Sequence, residues 1–174
     1  MLDTEEPAVT TRAHSRQPGR APDERRQARL AAVQALYQVE LGEIAADTVV
    51  HEFLQHRLEE VIDGVQLGRI DRGLFGDLVK GVTQHRADLA ETAGSAIAEG
   101  WTLERLETLL RIILLCGTFE LAHRPQTPAR AAIHEYVDLA KAFFDDREPK
   151  MVNGVLDHLA QVLRPEEMTG QGGR

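Results

Sequence analysis

Apolar residues recur three and four positions apart along almost the whole of this chain, and nowhere do they alternate with period two for long. That rhythm confines the chain to folds in which helices bury one face against other helices. Leu30, Val33, Leu36, Tyr37 and Leu41 make the first such face; Val152, Val155, Leu156, Leu159, Val162 and Leu163 make the last. Aromatic residues are only 5% of the total, and alanine, leucine and valine carry the apolar content, which favours helix over sheet. At 174 residues the chain holds one ordinary domain or two small ones, and it needs no disulfide or metal staple. The expected class is all-α, with six or seven helices.

Local signals divide the chain further. Residues 1 to 21 are rich in Pro, Thr, Gly, Arg and Glu, lack an apolar period, and are expected to form a disordered arm. A helical domain is expected over residues 22 to 165, and a flexible tail over residues 166 to 174. Pro22-Asp23 starts the first helix, with Asp23 as its N-cap, and Gly42 ends it. The second helix begins at Asp47 or Thr48, turns Val50, Phe53, Leu54, Leu58, Val61 and Ile62 inward, and stops at Gly64. From Asp71 a helical period runs to about Ala98, bent or split at Gly81 or Gly94. Thr102 caps a strongly apolar helix over residues 103 to 121. After a loop, Thr127-Pro128 supplies an N-cap and a proline at the first helical position. The segment from Asp145 to Lys150 breaks that helix, and Arg164-Pro165 ends the last one.

Charge and chemistry narrow the function. A net charge of −8 argues against a generally adhesive nucleic-acid binder. Yet residues 12 to 29 hold six arginines against Asp23 and Glu24, so a basic segment sits on an acidic body. The N-terminus lacks the apolar core of a secretory signal, and no stretch is long enough for a membrane span, so a cytoplasmic protein is expected. The single cysteine, Cys116, lies in the most apolar stretch and reads as a core residue rather than a nucleophile. His51 and His56 stand five apart, about 140° around a helix, and cannot hold one metal from one face. Without a nucleophile elbow, phosphate-binding glycine loop or dinucleotide fingerprint, an enzyme reading has no residues to stand on, and no cofactor is implied.

Three features carry positive signal. Arg25, Arg26 and Arg29 project from the first turns of a helix, where cations oppose the macrodipole, so something anionic must offset them. Asp23 and Glu24 are the local candidates, and an anionic partner is the other. Glu120 falls late in a very apolar helix, and an acid there needs a neighbouring arginine or a helix N-terminus. Gly154 falls in the first turn of the last helix, beside Lys150, Met151 and Asn153, where a glycine implies a packing reason.

In this order these segments resemble the family of bacterial transcription antitermination factors called NusB. The resemblance rests on Ala28-Arg29 and Gln34-Ala35-Leu36-Tyr37, on Phe119-Glu120-Leu121, on Pro128, Ile133, Glu135, Val137, Leu139-Ala140-Lys141 and Phe143, and on the run from Lys150 to Asp157. It covers about residues 25 to 164. It implies two small three-helix bundles packed crosswise, the first begun by the arginine helix. It further implies a protein that pairs with ribosomal protein NusE, binds the boxA RNA of ribosomal RNA operon leaders, and joins RNA polymerase with NusA and NusG to suppress premature termination. Carried over by motif, Arg25, Arg26 and Arg29 would hold RNA phosphates with Gln34 nearby, and Lys150, Met151 and Asn153 would line the other side of the RNA path. Tyr37 would lie near the protein partner, with Glu104 and Arg105 as weaker candidates there.

The chain departs from the family pattern at three places. Met151 replaces a usual phenylalanine, which removes a ring for base stacking. Leu115 stands for an arginine and His134 for an asparagine. The resemblance leaves homodimer formation open. Two other readings remain at this level: an accessory RNA-binding domain of a ribosomal RNA methyltransferase system, and a purely protein-binding helical module.

Overall fold

The computed structural model describes residues 21–57, 61–62, 65–66 and 70–170. The expected N-terminal arm lies outside the described residues, apart from its last position. Among the described residues the fold is helical: α1 (Ala21–Gly42), α2 (Ala46–Glu52), α3 (Arg72–Gln84), α4 (Arg86–Ser95), α5 (Thr108–His123), α6 (Ala129–Phe143), α7 (Arg147–Leu163) and α8 (Pro165–Met168). A two-residue antiparallel ladder pairs β1 (Val61–Ile62) with β2 (Val65–Gln66).

The packing forms two trios. Helices α1, α2 and α3 pack on one another, as do α5, α6 and α7, and α5 also lies against α1 and α3. Its position explains its composition. Every residue from Ile112 to Leu121 is buried, so this helix has no solvated face and no clear amphipathic stripe. Two glycines let neighbours approach. A Cβ on Gly81 of α3 would lie 2.2 Å from Cζ of Phe119, and one on Gly117 would lie 2.7 Å from Cδ1 of Leu156 on α7.

Several local expectations give way to this packing. The second helix ends at Glu52 rather than Ile62, passing into a π-helical turn (Phe53–Arg57), and Val61–Ile62 are extended. The long period after Asp71 is broken at His85 (φ −102°, ψ 18°), not at a glycine. Gly81 sits inside α3 because Phe119 occupies the space its side chain would need. Leu103–Arg105 form a separate 3-10 turn, and extended backbone at Leu106 precedes α5, whose start Thr102 does not cap. Pro149 falls in the first turn of α7, so the charged segment starts that helix instead of only ending α6. Gly154 therefore stands in the middle of α7, exposed, with nothing within 4 Å of a Cβ built there, so this chain supplies no packing reason for it.

The C-terminal end contributes more than expected. Arg164 donates through Nε to the carbonyl of Leu121 and through Nη2 to those of Glu120 and Arg124, satisfying the orphan carbonyls that end α5. Thr127 gives α6 no side-chain cap; Glu167 of α8 accepts from Ala129 N–H at 2.7 Å instead. Residues 166 to 168, assigned to a tail by sequence, are thus helical and hydrogen-bonded to the body.

Candidate nucleic-acid interface

The first turns of α1 grade from exposed to buried. Arg25 is exposed and makes no hydrogen bond or ion pair with any described residue. Arg26 has a 54% exposed side chain; its Nε and Nη2 donate to Oε2 and Oε1 of Glu135, both at 3.1 Å, and Nη2 lies 3.6 Å from Asp138. Those contacts raise the Arg26 pKa, first through the hydrogen bond to Glu135. Arg29, only 4% exposed, presents the same fork to Glu120 at 2.7 and 2.9 Å. Glu120 is fully buried, and its Oε2, which accepts from Arg29 Nε, also accepts from the Tyr136 hydroxyl. Burial alone would lower the Arg29 pKa; the hydrogen bonds and charge of Glu120 outweigh it and raise it instead. Burial, then the charge of Glu120, pushes the Tyr136 hydroxyl well above its ordinary value, so it stays a donor.

The acid that sequence reasoning left without a partner has therefore found an arginine. The unfavourable cations at the α1 N-terminus are offset by Glu120, Glu135 and Asp138 from the chain's own α5 and α6. Of the three arginines expected to hold RNA phosphates, Arg25 and Arg26 lie on the surface, and Arg29 lies in the core. Gln34 is half-buried farther along α1.

The second expected group sits on α7. Lys150 and Asn153 are exposed, and Met151 is half-buried against the core. Asn153 lines a cleft of about 220 Å³ with Arg130, His134, Val137 and Asp157. Helix α6 stands between this group and the arginines: its Glu135 and Asp138 hold Arg26, while His134, 3.1 Å from Asp138, faces the α7 cleft. The two groups thus flank α6, and no ion pair joins α1 to α7 among the described residues.

The expected partner residues are elsewhere. Tyr37, 37% exposed, lies one turn before the exposed Leu41 towards the end of α1, and Ile44 just past that helix is exposed as well. Glu104 and Arg105 are exposed on the 3-10 turn. Leu115, at a position where an arginine was the familiar residue, is buried in α5. Cys116 is fully buried; burial, then the charge of Glu120, raises its pKa, which keeps it a thiol. No cluster of three metal-ligating side chains occurs among the described residues, and no helix there is long and apolar enough to cross a membrane.

Sequence reasoning missed Arg124, at the end of α5. Its Nη1 donates to Asp77, and it lines a cleft of about 350 Å³ that Arg25, Arg29, Gln126 and Thr127 also border. A cation next to a helix C-terminus was the available signal, but its neighbours are far apart in sequence.

Comparison with known proteins agrees with the motif reading. The NusB family model matches residues 26–161. The transcription antitermination protein NusB of Sinorhizobium fredii is 44% identical over 156 residues, covering 90% of this chain and 98% of its own. The protein of the same name from Rhizobium meliloti is 42% identical over 157 residues, with the same coverage. Among solved structures, NusB of T. maritima superposes with a TM-score of 0.67 at 25% identity, over 83% of this chain and 96% of that one. A family match across nearly the whole folded region, with relatives this similar over their full length, shows that the chain belongs to the NusB family.

Proposed function

We propose that this chain is a non-catalytic cytoplasmic adaptor of transcription antitermination. With ribosomal protein NusE it would bind the boxA RNA of ribosomal RNA operon leaders, then join RNA polymerase with NusA and NusG and help the polymerase resist premature termination. The names of its relatives support the antitermination role. The observation that carries the RNA role is Arg25, an exposed guanidinium with no carboxylate partner among the described residues, beside the half-engaged Arg26.

In this reading Arg25, Arg26 and Lys150 hold phosphates, while Met151 and Asn153 meet bases of an unstacked strand. Gln34 borders the arginine end. Arg29 acts from beneath: its pair with Glu120 fixes how α1 is rotated against α5. Tyr37, with Leu41 and Ile44, would face the protein partner, with Glu104 and Arg105 at a secondary contact. Three phosphate contacts on a single strand give a slope of log K against log salt of about −2, roughly twentyfold in affinity from 50 to 200 mM. Contacts that salt-sensitive do not specify one element alone, so a partner that extends the RNA surface fits the design.

The test is RNA affinity of the chain alone and with NusE, for boxA RNA against a scrambled control, at two salt concentrations. The expected result is selective tightening on boxA when NusE is present, lost in the Arg25→Ala, Lys150→Ala double variant. Equal binding of both RNAs, with and without NusE, would remove this function and leave the fold.

A further inference from the structure

The geometry points to a phosphate-binding cleft between the start of α1, the start of α3 and the α5–α6 connection, with Arg124 and Arg25 as its two ligand-holding cations. Its backbone frame is set by hydrogen bonds: Asp71 N–H donates to the carbonyl of Glu24 at 3.1 Å, tying the start of α3 to the first turn of α1. Arg164 donates to the carbonyls of Arg124 and Thr127, tying the α5–α6 connection to α7. The cleft holds about 350 Å³, room for a phosphate and its neighbouring atoms.

The acids on its walls are engaged. Asp71 accepts from Leu74 N–H at 3.0 Å as the cap of α3, and Glu135 is held by both nitrogens of the Arg26 fork. Asp77, just outside, takes Nη1 of Arg124. The cations are not equally engaged. Arg25 has no partner among the described residues. Arg124 uses Nη1 alone, and its Nε is the one buried side-chain nitrogen or oxygen without a hydrogen bond among the described residues.

The chemistry follows from which edge is free. Arg26 and Arg29 both grip a carboxylate with the Nε and Nη2 edge. In Arg124 neither Nε nor Nη2 makes a hydrogen bond to a described residue. A guanidinium that lines the cleft with only one nitrogen engaged still has donors to offer a phosphate, and a buried donor left unmatched is unfavourable. Gln126 and Thr127 add polar groups at the rim. The ligand is a phosphate group, and its source is an RNA backbone running from the arginine end of α1 over the α5–α6 connection. That source rests on the RNA role proposed above; the phosphate site itself does not, and a free phosphate-bearing small molecule is the other source of the same chemistry.

Arginine Nε–H resonances of the full chain, titrated with inorganic phosphate and with single-stranded boxA RNA, test both. Both probes are expected to move the Arg124 signal. Gln126→Glu places a carboxylate at the rim on an exposed loop residue. It should weaken RNA binding about fivefold and make the salt slope shallower by about 0.7. Lys150→Ala, outside the cleft, reports the RNA role separately. If Lys150→Ala weakens RNA binding while Gln126→Glu changes nothing and Arg124 stays silent, the RNA role stands and the cleft is overturned. If the chain binds no RNA but inorganic phosphate still moves Arg124, the RNA role fails and the cleft serves a free phosphate ligand. If neither probe moves Arg124, there is no site.

Discussion

Arg29→Ala separates a structural role from an RNA role, because it removes a cation from the core. Arg29 is 4% exposed and Glu120 fully buried, joined through two hydrogen bonds of 2.7 and 2.9 Å. Deleting one partner of such a pair leaves an uncompensated buried charge, which costs about 3–5 kcal/mol. In a domain of this size that lowers Tm by roughly 6–20 °C. Urea unfolding followed by circular dichroism gives the free energy directly, with an unchanged m-value showing that the unfolded state is not the cause. Glu120→Gln should cost a similar amount, since it strands the guanidinium. The triple change Arg29→Met, Glu120→Leu, Tyr136→Phe removes every buried polar group of the cluster and should recover all but about 1–2 kcal/mol. A loss below about 1 kcal/mol for Arg29→Ala would refute the buried pair. RNA affinity measured on Arg29→Ala well below its melting temperature should fall less than for Arg25→Ala.

Two further outcomes follow from named contacts. Gly117→Ala places a Cβ 2.7 Å from a fully buried Leu156, so overpacking of about 1–3 kcal/mol outweighs the gain of roughly 1 kcal/mol in helix propensity, while Gly154→Ala meets nothing and should stabilise by about that amount; paired urea titrations check both signs. Glu135→Gln releases Arg26 from its two 3.1 Å hydrogen bonds and should raise affinity for scrambled RNA and steepen its salt dependence, read by filter binding at 50 and 200 mM salt, with unchanged affinity arguing that Arg26 touches no phosphate.

Periodicity found α1, α3, α6 and α7 because each buries one face and wets another, so the stripe is written into the sequence. It misplaced ends where tertiary contacts overrule local chemistry. Gly81 reads as a break and is instead the space for Phe119. Thr127 reads as a cap, but the α6 N-terminus takes a carboxylate from Glu167, 38 residues on. Arg164 reads as the end of α7, yet its donors close α5. The candidate site was legible in part for the same reason. The arginines stand together in sequence, and so do Lys150, Met151 and Asn153. Which of them reach solvent depends on Glu120 and Glu135, which lie 91 and 109 residues from their partners. Arg124 gave only the signal of a cation at a helix C-terminus, because the residues that make it a wall of a cleft come from three separate elements.

One helix end thus does two jobs that a solvated arginine cluster could not. Apolar contacts alone hold the rotation of a helix less sharply than a directional bond does, since Ala28, Ala32 and Val33 pack without direction. The Arg29–Glu120 fork is directional, with two donors meeting two acceptors in one plane, and it sets the rotation of α1 at its first turns. Arg25 lies one helical turn before Arg29 and Arg26 three residues before it, so fixing Arg29 fixes where both leave the surface. The Glu135 pair then holds Arg26 half-extended at the junction with α6. An anion arriving there finds Arg25 without a partner among the described residues, and Arg26 already oriented with less side-chain entropy left to lose. The acid that neutralises the core arginine is therefore also what makes the outer arginines a surface of fixed shape, and removing it should loosen that surface before it unfolds the domain.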